Sequence, residues 1–107
     1  MDEFISTLIK EVDAFLAELF SQKKELYQIS NTDTLPVHIQ IGGIFVVIKK
    51  YNIDYLGDRL FYNLDCNYSI SSKSGWGFVI HLHGTTKDDL INTFKHFLFQ
   101  LIIQEKL

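Results

Sequence analysis

Between Leu60 and His83 large apolar side chains fall on every second residue, a period that few local structures can use. Leu60, Tyr62, Leu64, Cys66, Tyr68 and Ile70 alternate with a second set that includes Asn63, Asp65, Asn67 and Ser69. A helix would scatter these side chains around its axis, whereas a strand puts each set on its own face. After Ser71 to Gly75 the alternation resumes, with Trp76, Phe78, Ile80 and Leu82 on one face and Gly77, Val79, His81 and His83 on the other. If residues 71–75 form the turn, Ile70 faces Trp76, Tyr68 faces Phe78, Cys66 faces Ile80 and Leu64 faces Leu82. That register keeps every apolar pair together and sets Asp65 opposite His81 and Asn63 opposite His83.

The segments on either side can be read in the same way. Phe4, Ile5, Leu8, Ile9, Val12, Phe15, Leu16, Leu19 and Phe20 recur at helical spacing and predict an amphipathic helix over residues 3 to about 27. Asp2 and Glu3 at its start and Lys23 and Lys24 near its end suit the helix dipole. Its polar face carries Lys10, Glu11, Asp13 and Glu18, which favours packing on a core over lying on a membrane. Residues 29–35 read as a connection closed by Pro36, the only proline.

Val37, Ile39 and Ile41 alternate with His38 and Gln40 before Gly42-Gly43 and the run Ile44 to Ile48. The glycine pair is either a two-residue hairpin turn or a bulge in one bent strand. The hairpin is preferred because it gathers Val37, Ile39, Ile41, Ile44, Val46 and Ile48 on one face. Residues 52–59, with Asp54, Gly57 and Asp58, read as a loop. Thr86 with Asp89, or Thr85 with Asp88, has capping-box-like spacing ahead of a last helix. That helix carries Leu90, Ile91, Phe94, Phe97, Leu98, Leu101 and Ile102 in one stripe, with Phe99 and Ile103 as an i, i+4 pair on the far side.

The expected fold is therefore α+β: a two-layer sandwich of one domain, residues 1–107. An antiparallel sheet of three to four strands has the N-terminal and C-terminal helices packed on one face. The other face should be open, carrying His38, Gln40, Phe45, Val47, Lys49, Phe61, Asn63, Asp65, Asn67, Val79, His81 and His83.

Charge and composition then exclude several functions. Ten Lys and Arg against thirteen Asp and Glu give a net charge of −3. This argues against a general phosphate-binding surface and is too mild for a DNA mimic. A nucleic-acid platform on the open face would need cations, and only Lys49 clearly joins it. Cys66, the single cysteine, has no partner for an internal disulfide and reads as a small buried hydrophobe. The N-terminal residues lack the pattern of a secretory signal. The longest apolar run, Ile44 to Ile48, is far short of the roughly twenty residues that cross a bilayer, so a soluble, cytoplasmic protein is expected.

Candidate chemistry centres on the hairpin. Two histidines two apart on a strand point the same way, so His81 and His83 with Asp65 have a spacing that can chelate zinc. A His opposite an Asp is also an ordinary cross-strand pair, and a polar interface patch is the preferred reading, with no metal and no cofactor. Thr85 and Ser69 sit in no nucleophile elbow, and no phosphate-binding or dinucleotide glycine motif occurs. Protein recognition remains. Phe45, Val47, Phe61, Asn63, Asp65, His81 and His83 have the aromatic-plus-polar mix of an interface, and Tyr51 and Tyr55 join them from the loop as candidate anchors.

In size, acidity, lack of a catalytic signature and helix-sheet-helix plan, the chain resembles small bacterial immunity or antitoxin proteins. That resemblance of character implies neutralisation of a toxin domain by binding it; no motif carries it. The alternatives are a secretion-type chaperone acting as a homodimer, and a metal-dependent enzyme using His81, His83 and Asp65.

Overall fold

A computed structural model of the chain describes residues 3–21, 23–73 and 77–105. Helix α1 (Glu3–Leu19) leads through a 3-10 turn (Lys24–Leu26) into strands β1 (Tyr27–Ser30), β2 (Val37–Ile41), β3 (Ile44–Leu56), β4 (Arg59–Ile70) and β5 (Gly77–Gly84). Helix α2 (Lys87–Gln104) follows. The strands form one sheet in chain order, each antiparallel to its neighbour. The α+β plan is as expected, but the sheet has five strands rather than three to four.

The extra strand comes from the stretch read as helix end and connection. α1 buries Phe4, Ile5, Leu8, Val12 and Leu16 and stops at Leu19, close to Ser21 with φ 54°. A left-handed residue without a glycine's freedom cannot continue a right-handed helix. Tyr27 and Ile29 then pair with Ile41 and Ile39, apolar against apolar, and the Tyr27 hydroxyl reaches Asp13 Oδ1 at 3.3 Å. Four residues are too few for their alternation to stand out.

Gly42-Gly43 is a hairpin turn: Ile41 faces Ile44, Ile39 faces Val46, and Gly42 supplies a φ of 55°. The segment read as a loop, residues 52–59, is instead the end of one long hairpin. β3 runs to Leu56, and Gly57 (φ 66°) with Asp58 turns it so that Leu56 faces Arg59. A bulge between Ile48 and Lys50 hid this strand in the sequence. It shifts the phase by one residue, so the inner set passes from Ile44, Val46 and Ile48 to Tyr51, Ile53 and Tyr55. β2 ends its pairing at Ile48 and β5 at Tyr62, so residues 53–61 extend as a two-stranded ribbon with no further strand beside it among the described residues.

The β4–β5 register sets Leu64 against Leu82, Cys66 against Ile80 and Tyr68 against Phe78, as the alternation requires. The proposed Ile70–Trp76 pair, Ser74 and Gly75 of the turn, and Asp2 at the start of α1 lie outside the described residues. The inner apolar face meets α1 and α2, which bury Leu90, Ile91, Phe94, Leu98, Leu101 and Ile102 from the second helix. Tyr68 stacks on Phe78 at 5.1 Å and meets the edge of Phe97 at 5.2 Å. Each large side chain taken fully from water contributes about 1.5–3 kcal/mol, so this single core outweighs any surface contact. Phe99, on the far side of the helix stripe, meets Phe15 edge-on at 6.5 Å and joins the two helices.

Thr86 caps α2 through Oγ1, which accepts from Asp89 N at 3.0 Å. Among the described residues, no helix is long and apolar enough to cross a membrane.

The joint between β5 and α2 depends on Gly84, where a Cβ would lie 2.6 Å from the Leu90 backbone nitrogen. Gly84→Ala should therefore cost about 1–3 kcal/mol by overpacking against backbone that cannot yield. At Gly77 a Cβ would meet nothing within 4 Å, so Gly77→Ala should stay within about 0.5 kcal/mol of the parent. Urea unfolding of the two variants measures the difference.

Candidate functional site

Because both helices take the inner face, no element among the described residues covers the outer face of the sheet. Phe45, Val79, His38, Gln40, Lys49, Lys50, His81 and His83 are exposed there, while Val47, Phe61, Asp65 and Asn67 are half-buried among their neighbours. The structure brings seven of the expected interface residues onto this one face: Phe45, Val47, Phe61, Asn63, Asp65, His81 and His83. It separates the other two. Tyr51 and Tyr55 belong to β3 rather than to a loop, and the bulge turns them to the helix side. Tyr51 is half-buried and stacks on Phe4 at 4.4 Å, whereas Tyr55 stands 77 % exposed on the ribbon.

The polar residues of β4 and β5 are held by each other. His81 Nδ1 lies 2.6 Å from Asp65 Oδ1, and His83 Nδ1 bonds to Asn63 Oδ1. Asn63 is the buried polar side chain of the described residues, only 6 % exposed, and its Nδ2 donates to Asp54 Oδ2 at 2.8 Å. Asp54 Oδ1 accepts from Asn52 Nδ2 at 3.1 Å.

A carboxylate only accepts, so Asp54 fixes which end of the Asn63 amide faces it. The Asn63 carbonyl must then face His83, whose Nδ1 carries the proton. The Asp65 carboxylate likewise takes the Nδ1–H of His81. In their neutral forms both imidazoles therefore keep Nε2 as an acceptor away from these bonds. Asp54, Asn52 and the exposed ribbon residues Ile53 and Leu56 were not among the sequence candidates. Their signal, the spacing of Asn52 and Asp54 on one strand face, appears only once residues 52–56 are known to be extended.

Where β5 passes into α2, an open cleft of about 540 Å³ lies between Phe61 and His83 on one side and Thr85, Asp89 and His96 on the other. Thr85 Oγ1 donates to Asp89 Oδ2 at 2.8 Å, so its proton is directed away from His83. The described residues bring no hydroxyl onto His81 or His83, and no group of three or more His, Cys, Asp and Glu is placed to hold a metal ion. Cys66 lies fully buried on the inner face. Burial, and secondarily the Asp65 carboxylate, pushes its thiol up to about 12, which leaves it protonated and inert at neutral pH.

What the arrangement offers is a fixed polar surface: oriented imidazoles and amides beside exposed Phe45 and Val79. No protein-family model matches the chain, and no curated protein or solved structure matches it either.

The two networks should differ in their worth. Asp54→Ala removes the acceptor of the buried Asn63 amide and should cost about 1–3 kcal/mol. Asp65→Ala breaks a bond to an exposed imidazole and should cost less than about 1 kcal/mol. Equal losses in chemical denaturation would contradict the burial of the first network.

Proposed function

We propose that this chain is a small protein-binding inhibitor of the immunity or antitoxin type, acting in the cytoplasm of a bacterial cell. It neutralises a partner protein by covering it with the outer sheet face and the tip of the β3–β4 ribbon. The observation that carries this reading is the bare outer face itself, whose polar side chains are already held in place by Asp54, Asn63 and Asp65. Fixed side chains lose little further entropy on binding, so their hydrogen bonds count more fully towards affinity. Phe45 and Val79 on the face, and Ile53, Tyr55 and Leu56 on the ribbon, supply exposed apolar surface of the kind that anchors an interface.

The test is co-expression with the product of the adjacent gene. Relief of that product's toxicity and a one-to-one complex are expected. Tyr55→Ala and Phe45→Ala should each weaken the complex by about tenfold or more while leaving the fold intact, since truncated anchors cost about 1–2 kcal/mol or more. A neighbour that is harmless alone, or a chain that copurifies with no protein from its native host, would count against the proposal.

A further inference from the structure

The two edges of the sheet are built differently. β1 is four residues long and is followed at once by Asn31 in the left-handed conformation, with φ 60°. β5 is eight residues long, pairs with β4 without a bulge, and contains neither proline nor lysine. Phe78 and Val79 on it are 40 % and 67 % exposed. Among the described residues, no loop or side chain hydrogen-bonds to the backbone of β5 from the side away from β4. Natural edge strands are usually blunted by shortness, a bulge, proline or lysine. β5 carries none of these devices and presents an open row of backbone donors and acceptors.

We propose that β5 is a self-association edge. Two copies pair β5 with β5, antiparallel about a two-fold axis through Ile80, and join their sheets into one of ten strands. Residues directly opposite in an antiparallel pair share a face, so the axis must pass through a residue. Only axes through Ile80 or His81 keep seven of the eight β5 residues paired within the strand. The Ile80 axis sets Ile80 against its own copy and Phe78 against Leu82 of the second copy on the helix side, with Val79 against His81 on the outer side. The His81 axis would set two imidazoles face to face and leave Phe78 opposite Gly84.

A second copy is the occupant because on the helix side β5 complements itself in this register, Ile80 against Ile80 and Phe78 against Leu82, while on the outer side it avoids facing imidazole with imidazole. The edge is about 27 Å long and, counting sheet and helix layers, about 20 Å deep, which offers on the order of 500 Å² per protomer. That is the low end of specific interfaces and fits a micromolar dimer with paired backbone bonds across it. Both pairs of helices stay on one side, and the two outer faces lie side by side. The dimer does not depend on the partner-binding reading.

Sedimentation across micromolar concentrations should show a monomer–dimer equilibrium. Val79→Lys, on an exposed outer position, should weaken it by about tenfold or more with an unchanged circular dichroism spectrum, because it introduces the edge lysine that β5 lacks. Mild oxidation should crosslink a mixture of Val79→Cys and His81→Cys chains, while either variant alone should crosslink far less. A parent chain that stays monomeric throughout would overturn the proposal, as would a dimer that Val79→Lys leaves intact. Crosslinking of His81→Cys with itself in place of the mixed pair would overturn the Ile80 register.

Discussion

The phase of β4 is the constraint on which the rest of the structure depends. β4 pairs along most of its length with β3 on one side and with β5 on the other, so its alternating pattern is read twice. A slip of one residue on either side would send Leu64, Cys66 and Ile70 to solvent and bring Asn63, Asp65 and Asn67 under the helices. The core under α1 and α2 therefore fixes the polar face as firmly as the apolar one. Asp65 meets His81 and Asn63 meets His83 because Cys66 must meet Ile80 and Leu64 must meet Leu82.

Where the pattern was long and unbroken, the sequence was enough to read it. The β4–β5 register follows from side-chain spacing, and so does the outer-face position of Phe45, Val47, Phe61, His81 and His83, whereas spacing leaves two readings each for Gly42-Gly43 and for the cap of α2, which the backbone resolves as a turn and as Thr86. Two features were hidden for physical reasons. β1 is four residues long and follows a helix whose end is marked only by the backbone conformation at Ser21. The far half of β3 was masked by a bulge, which reverses the parity of the alternation, and by Asn52, Asp54 and Asp58, whose composition resembles a loop. The same bulge turns Tyr51 and Tyr55 to the helix side and brings Asp54 to the outer face, where it holds Asn63.

The ribbon beyond Tyr62 shows how the fold and the candidate interface meet. A two-stranded hairpin standing alone in water is marginal. Here its base is tied to the body on both faces. Phe4 stacks on Tyr51 on the helix side, and the Asn52–Asp54–Asn63 chain of hydrogen bonds spans the two strands on the outer side. The tip, with Tyr55 and Leu56 exposed, is thereby carried on a stiffened stem next to the fixed polar patch. A partner could engage both without either having to be ordered first.

The claim that one sheet face is bare while the other is sealed can be measured without a partner. Paramagnetic relaxation by a soluble, uncharged gadolinium chelate reports the solvent access of each assigned side-chain proton. Strong relaxation is predicted for Phe45 and Val79, with little at Val46, Ile48, Leu64 and Leu98. Protection of Phe45 and Val79 comparable to that of Val46 and Ile48 would contradict the account.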